Sequence, residues 1–256
     1  MLFPLVDRPW IMSAIVFALL WAIARFGAMV RNWRAGITSA EHSDLDLVRN
    51  ATFTLLAVIL GFSLSMSVSR YDLRKSYEEG EANAIGTAYA RLDLLPADTS
   101  PATRELLRDY VRQRIIFYSG ENPDELRRAE IHTAKLQSDM WAAVSRAASQ
   151  QPTPVTALAV ASMNDVLNSQ GYALAAWRNR LPIQVWGLLL FVAIGANFLV
   201  GFGSYSRSVW DLWVLALTTA VAFLLIAEID SPRNGLVRVH PQNLADVAES
   251  IAAKPP

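Results

Sequence analysis

Between Asn50 and Ser69 the chain carries no charge, and at Arg70 it passes without a Gly-Pro break into a charged, helical pattern that runs to Leu95. Twenty uncharged residues are what a helix needs to cross a bilayer, since it rises about 1.5 Å per residue and the hydrocarbon core is about 30 Å thick. The two stretches together predict one long helix that starts in lipid and ends in water. That geometry carries a signal or an ion path between membrane and cytosol, so the functional reading starts from it.

Three other segments have the length and apolarity of a span. Trp10–Val30 holds one charge, Arg25, near its end; Leu181–Ser206 holds none; Leu212–Ala227 is shorter, but Trp210, Asp211, Trp213 and Glu228 about its ends suit an interface, so the span is read as Val209–Ile229. A cleaved signal peptide is the rival reading of the first segment. Its apolar core is long for that role and three further spans follow. With 53% hydrophobic and 18% charged residues, the apolar content is clustered as a membrane protein requires. Formal net charge is zero, so no basic field recruits nucleic acid. Cysteine is absent, which removes disulfides, thiol nucleophiles and thiolate metal sites.

The expected class is an all-α membrane protein with four transmembrane helices and a helical cytosolic domain between spans two and three. The expected organisation is spans one and two in 1–69, the cytosolic domain in 70–180, spans three and four in 181–230, and a cytosolic tail in 231–256. Four spans put both termini and the central domain on one side. Near the span ends that side carries Arg8, Arg70, Arg74, Lys75, Arg178, Arg180, Arg233 and Arg238, against Arg31, Arg34, Arg49 and Arg207 on the other. The bias assigns the first group to the cytoplasm and the Asn32–Arg49 connection to the exterior.

Within 70–180 the capping signals mark three further helices. Ser100 is an N-cap candidate with Pro101 at the first helical position, and the helix is expected to end near Gly120. Asn122-Pro123-Asp124-Glu125 begins the next, with Glu125 placed to close a capping box. There Leu126, Ala129, Thr133, Leu136, Met140, Ala143 and Ala147 alternate 3 and 4 spacing as a packing seam. Thr153-Pro154 starts the last helix, which runs to about Arg180.

Along the long helix, Ala57, Gly61, Ser65 and Ser69 form a ridge of small residues, which lets helices approach closely in lipid. The stripe continues as Asp72, Ser76, Glu79, Asn83 and Thr87, turning polar where the helix leaves the membrane. The opposite stripe, Glu78, Ala82, Ile85, Tyr89 and Leu92, is mostly apolar and is expected to face the bundle. Two readings of the polar stripe stay open. It is either a solvated helix face, as on ordinary amphipathic helices, or the lining of a wet path among several copies of the helix. Ser65, Ser69, Asp72, Glu79, Asn83 and Thr87 are the pore-lining candidates. Another face, with Thr52, Leu56, Ile59 and Ser63, offers an alternative apolar constriction that gates by dewetting.

Asn197 lies in span three and needs a partner, for which an interhelical hydrogen bond is expected. Glu228 and Asp230 end span four; two carboxylates there are a candidate for a hard cation such as calcium, the rival being an interfacial turn paired with Arg233. No resident cofactor is otherwise expected. Enzyme signatures are missing: there is no Gly-Lys phosphate loop, no His-Glu-x-x-His and no Gly-x-Ser-x-Gly, and His42, His132 and His240 are far apart. The expectation is that the chain is not an enzyme.

Thr54-Leu55-Leu56 through Gly61-Phe62-Ser63, Ser69-Arg70-Tyr71-Asp72, the run Glu81-Ala82-Asn83-Ala84-Ile85-Gly86-Thr87-Ala88-Tyr89, and the tail Asp230-Ser231-Pro232-Arg233-Asn234-Gly235-Leu236-Val237-Arg238-Val239 resemble a bacterial and plant family known as bestrophin-like. The resemblance runs from span two onward. It implies a four-span protein of the bacterial inner membrane with cytosolic termini. Bestrophins proper are homo-pentameric, mostly anion-conducting channels whose second span and cytosolic helices line the pore. In the animal members calcium acts through carboxylates just after span four, a place comparable to that of Glu228 and Asp230. This chain departs from that pattern, with Phe53 and Phe62 in place of a closely spaced aromatic neck and no dense acidic run. The resulting expectation is a homo-oligomeric channel in the lipid bilayer that passes inorganic ions. Acidic rings at Asp72 and Glu79 argue for cations and the resemblance for anions. The rival function is a non-conducting, membrane-anchored scaffold or signalling partner that binds another protein beside the Leu126–Ala147 seam.

Overall fold

The structure, a computed structural model, describes residues 8–33, 39–203 and 209–253. Among them there are helices and no strands. The helices are α1 (Pro9–Trp33), α2 (Ser39–Arg91), α3 (Ser100–Ser119), α4 (Pro123–Gln150), α5 (Pro154–Arg178), α6 (Ile183–Gly203), α7 (Val209–Asp230) and α8 (Gln242–Ala252), with a short 3-10 turn at Leu92–Leu94 after α2. Four stretches, supplied by α1, α2, α6 and α7, are long and apolar enough to cross a membrane. The fold is all-α, as the sequence predicts.

The chain divides into two compact units: Met1–Tyr71 with Arg180–Arg238, and Asp72–Asn179 with Val239–Pro256. The C-terminal stretch is therefore shared, with residues 231–238 in the first unit and α8 in the second. Helix α2 runs unbroken from one to the other.

In the first unit α1 packs on α6 and α7. Its core joins Met12, Val16 and Leu20 of α1, Leu56 of α2, Trp186, Leu189 and Val192 of α6, and Phe223 and Ile226 of α7. The α1–α6 crossing brings backbone against backbone. A Cβ on Gly201 would lie 1.8 Å from the Ala24 carbonyl oxygen, and one on Gly27 would lie 2.4 Å from that of Phe198. Only glycine fits at these two places, and close approach of this kind holds helices together where no hydrophobic effect separates protein from solvent. Ser13 Oγ donates to the Ala220 carbonyl at 3.0 Å and Arg31 to that of Phe202 at 2.9 Å. Only 17% of the apolar stretch of α2 is buried, against 44% for that of α7, so most of that stretch is uncovered within the chain.

In the second unit α3, α4 and α5 pack in sequence order, and α8 lies on α3. The seam of α4 buries Ala129, Thr133, Leu136, Met140, Val144 and Ala147. Val144 takes the fully buried place expected of Ala143, because the turn after Met140 steps by four residues. Phe117, Tyr118 and Trp177 meet edge to face with centroids 5.1–5.5 Å apart.

Several expected boundaries shift. Helix α2 begins at Ser39, well before the predicted span, because 39–60 holds neither Gly nor Pro and Thr52 and Thr54 bond back to the Val48 and Asn50 carbonyls. The expected 32–49 connection is therefore mostly helix. The N-cap of α3 is Thr99, one residue before Ser100. Asn122 caps α4 by accepting from the Asp124 amide at 2.9 Å. The reciprocal box expected of Glu125 forms instead at α5, between Thr153 and Thr156. Asn197 donates within its own helix, to the Ala193 carbonyl at 2.9 Å, and among the described residues its Oδ1 has no partner and the expected interhelical bond does not form. Arg34, Arg207 and the end of the expected third span at Ser204–Ser206 lie outside the described residues.

Candidate functional site

The extension of α2 beyond the membrane-length stretch has two faces of opposite character. Arg74, Glu78 and Glu81 are charged, yet their exposures are 1%, 1% and 0%. With Ala82, Ile85, Ala88, Tyr89 and Leu92 they form the face turned into the second unit. Burying a charge is costly unless it is paired or fully hydrogen-bonded, and these three find partners on three different helices. Arg74 donates to the carbonyls of Ala176 (3.3 Å) and Asn179 (3.1 Å), at the C-terminal end of α5. Glu78 accepts from the Leu244 amide at 2.9 Å and from the Asn243 side chain at 2.6 Å, in the first turn of α8. Both placements match the helix dipole, with a cation at a C-terminus and an anion at an N-terminus.

Glu81 makes the third attachment, to α3. Arg114, 2% exposed, grips its carboxylate with Nε and Nη2, the latter at 3.1 Å. The hydroxyls of Tyr110 (3.4 Å) and Tyr118 (3.3 Å) donate to the same group, and the Arg114 guanidinium lies 4.4 Å from the Phe117 ring centre. Burial, and then the Glu81 charge, push the phenols of Tyr110 and Tyr118 well above their ordinary range. Burial alone would lower the Arg114 pKa, but the Glu81 carboxylate more than offsets this and raises it. The group is a buried Glu81–Arg114 ion pair whose carboxylate also accepts from two phenol hydroxyls.

Three attachments at positions 74, 78 and 81 fix the rotation of α2 within the second unit and so decide what its other side presents there. Ser65, Ser69, Asp72, Ser76, Glu79, Asn83 and Thr87 are all exposed, as are Ala57 and Gly61 before them. A Cβ on Gly61 or Gly80 would meet nothing within 4 Å. The small-to-polar stripe is one uncovered line along a single helix. The alternative constriction lies elsewhere: Leu56 is 4% exposed within the first unit's core, Ser63 is 2% exposed, and Ile59 packs partly against that core.

Glu228 and Asp230 end α7 as buried acceptors. Asp230 takes the Leu181 amide on both oxygens, at 3.0 and 3.1 Å. Glu228 Oε2 takes the Leu236 amide, while its Oε1 has no hydrogen-bond partner. The loop closes so tightly that a Cβ on Gly235 would fall 2.2 Å from the Glu228 carbonyl oxygen. Calcium asks for six to eight oxygens, and among the described residues no three His, Asp or Glu side chains converge. The hydrogen bonds from the Leu181 and Leu236 amides make the two carboxylates a clasp on the backbone at the end of α7.

Sequence reasoning placed Glu78 on the inward stripe but did not single out Arg74 or Glu81 as its charged companions. The signal was present, because 74, 78, 81, 85 and 89 continue one helical face that ends in Ile85 and Tyr89.

No curated protein matches the chain in sequence. Solved structures do match in fold. Two single-site variants of a bacterial Bestrophin homolog from Klebsiella pneumoniae superpose with TM-scores of 0.64 and 0.65 at 15% identity, covering 93% and 94% of this chain and 97% and 99% of theirs. A variant of a protein described as a membrane protein gives 0.65 at 14% identity, covering 94% of this chain and 98% of its own. The Bestrophin-like domain matches residues 13–244. An extent that takes in the membrane-length helices, the charged clamp and the start of α8 leaves one assignment: the chain belongs to the Bestrophin-like family.

Proposed function

We propose that this chain assembles with copies of itself into an ion channel of the bacterial inner membrane, a pentamer by family resemblance, with both termini cytoplasmic. In this reading α2 lines the path, first with Ser65 and Ser69 and then with Asp72, Glu79, Asn83 and Thr87. The observation that carries it is the uncovered stripe on a helix whose opposite face is locked by Arg74, Glu78 and Glu81. A solvated face needs no such lock, whereas a pore needs its lining groups held in one rotation. The burial of Leu56 and Ser63 inside the protomer favours the small and polar face over the apolar one as the lining. Repeated around an axis, Asp72 and Glu79 make carboxylate rings, and such rings attract cations. Calcium has no part in this reading.

Ion flux into liposomes holding the purified protein tests it. Glu79→Lys is expected to move the reversal potential toward anions under a salt gradient, and Glu79→Ala to move it partway. A conducting protein whose selectivity ignores both changes removes Glu79 from the pore. A purified protein that stays monomeric and passes no ions leaves the anchored scaffold as the function.

A further inference from the structure

Helix α8 is short and amphipathic, and it is held at both ends on the back of the candidate lining. Its buried residues are Leu244 and Ile251. At its start the Glu78 carboxylate takes the Leu244 amide and the Asn243 side chain. At its end Arg108 of α3 donates twice to the Ile251 carbonyl, at 3.2 and 2.9 Å, and also to the Tyr89 hydroxyl at 2.8 Å. Between the two ends, a Cβ on Gly86 would stand 4.0 Å from Val247. The α2 residues engaged, Glu78, Gly86 and Tyr89, bracket Glu79, Asn83 and Thr87 on the same helix. Anion at the N-terminus and cation at the C-terminus both act in the sense the helix dipole favours.

Resting on the channel reading above, we propose that α8 is a splint for the lining stretch 79–87, and that Glu78 is a positioning residue acting through it. Glu78 faces away from any ion path. Its effect on conduction is to hold α8, which in turn holds the stripe in place.

The chain has no cysteine, so Asn83→Cys places a single thiol on the stripe of full-length protein in liposomes. In that background Glu78→Ala is expected to raise amide exchange across residues 244–251 about tenfold, the scale of a lost helix cap. The modification rate of the thiol is expected to change by a comparable factor. Glu78→Gln keeps an oxygen for the Leu244 amide and should return both rates to within about threefold of the parent. Arg108→Gln frees the other end and serves the same purpose where Glu78→Ala does not fold. Raised exchange with an unchanged thiol rate overturns the positioning claim, and unchanged exchange overturns the clasp. Flux is measured on the same liposomes. A parent protein that passes no ions removes the channel reading, while the exchange and thiol rates still decide whether α8 positions the stripe.

Discussion

The two stretches of α2 solve one problem, holding a long helix at a fixed rotation, by different chemistry. In the membrane-length stretch the buried positions are Leu56, Ser63 and Ser67, and the Ser67 hydroxyl bonds back to the Ser63 carbonyl of its own helix. In the extension they include Arg74, Glu78 and Glu81, each bonded to another helix. On the reading proposed above, which puts the first stretch in lipid and the extension in water, the physical difference is the solvent. In lipid, charge at depth is expensive and apolar packing is no better than lipid itself, so fit between small residues and backbones decides. In water the apolar faces come together readily but slide as readily, and a buried charge has one geometry in which it is satisfied.

The sharpest way to break that comparison is at the Glu81–Arg114 clamp. Arg114→Ala leaves a carboxylate buried with two phenols and no cation, a change expected to cost about 3–5 kcal/mol. Thermal unfolding of the detergent-solubilised protein, followed by circular dichroism, reads it. Replacing both partners together, Glu81→Leu with Arg114→Met, should recover most of the loss, since an apolar pair of similar volume needs no solvation. A single substitution that costs less than about 1 kcal/mol would mean that the clamp does not set the register. The same cluster has a pH signature. Tyr110 and Tyr118 titrate above their ordinary range in the folded protein, while in the unfolded chain they ionise near pH 10. Above about pH 10 the unfolded state therefore binds fewer protons, and stability falls as pH rises. Tyr110→Phe with Tyr118→Phe should flatten that fall in urea titrations run at stepped pH.

The counterpart in the first unit is the glycine contact. Gly201→Ala places a methyl group 1.8 Å from the Ala24 carbonyl oxygen, so α1 and α6 must separate. Overpacking of this kind costs about 1–3 kcal/mol. Gly195→Ala, in the same helix, meets nothing within 4 Å and should be neutral or stabilising, since alanine is favoured over glycine in a helix by about 1 kcal/mol. Unfolding in sodium dodecyl sulfate measures both variants. Equal behaviour of the two would remove close backbone approach as the device that holds this unit.

The features legible in the sequence were those with a local signal. Asn50–Ser69 declares its length, Thr153-Pro154 declares a helix start, and the two stripes of α2 follow from helical spacing alone. The identity of the covered face was legible because Ala82, Ile85, Tyr89 and Leu92 outnumber Glu78 on it. The partners were not. Arg74 meets residues 102 and 105 positions away, Glu78 meets residues 165 and 166 away, and Glu81 meets Arg114, 33 away. Nothing local says that a charged residue on an apolar face has found its counter-group in another helix. The Gly27–Gly201 region is illegible for the same reason, since each glycine is required by the backbone of a helix remote in sequence.

The smallest effects concern helix ends in the charged unit, where water competes for every open amide. Three helices there start in three ways. Thr153 and Thr156 exchange two bonds at α5, Asn122 accepts one at α4, and Thr99 makes no side-chain cap at α3. A cap is worth about 0.5–2 kcal/mol because it satisfies an amide that the helix cannot. Thr153→Ala should therefore cost most, about 1 kcal/mol or more, Asn122→Ala less, and Thr99→Ala only a few tenths of a kcal/mol. Chemical denaturation, with midpoints compared at constant slope, ranks the three. If the ranking holds, polar bonds place the second unit's helix starts as well as its register. An inverted ranking would mean that packing already fixes these ends, and the charged face of α2 would then be the one place in this unit where polarity decides geometry.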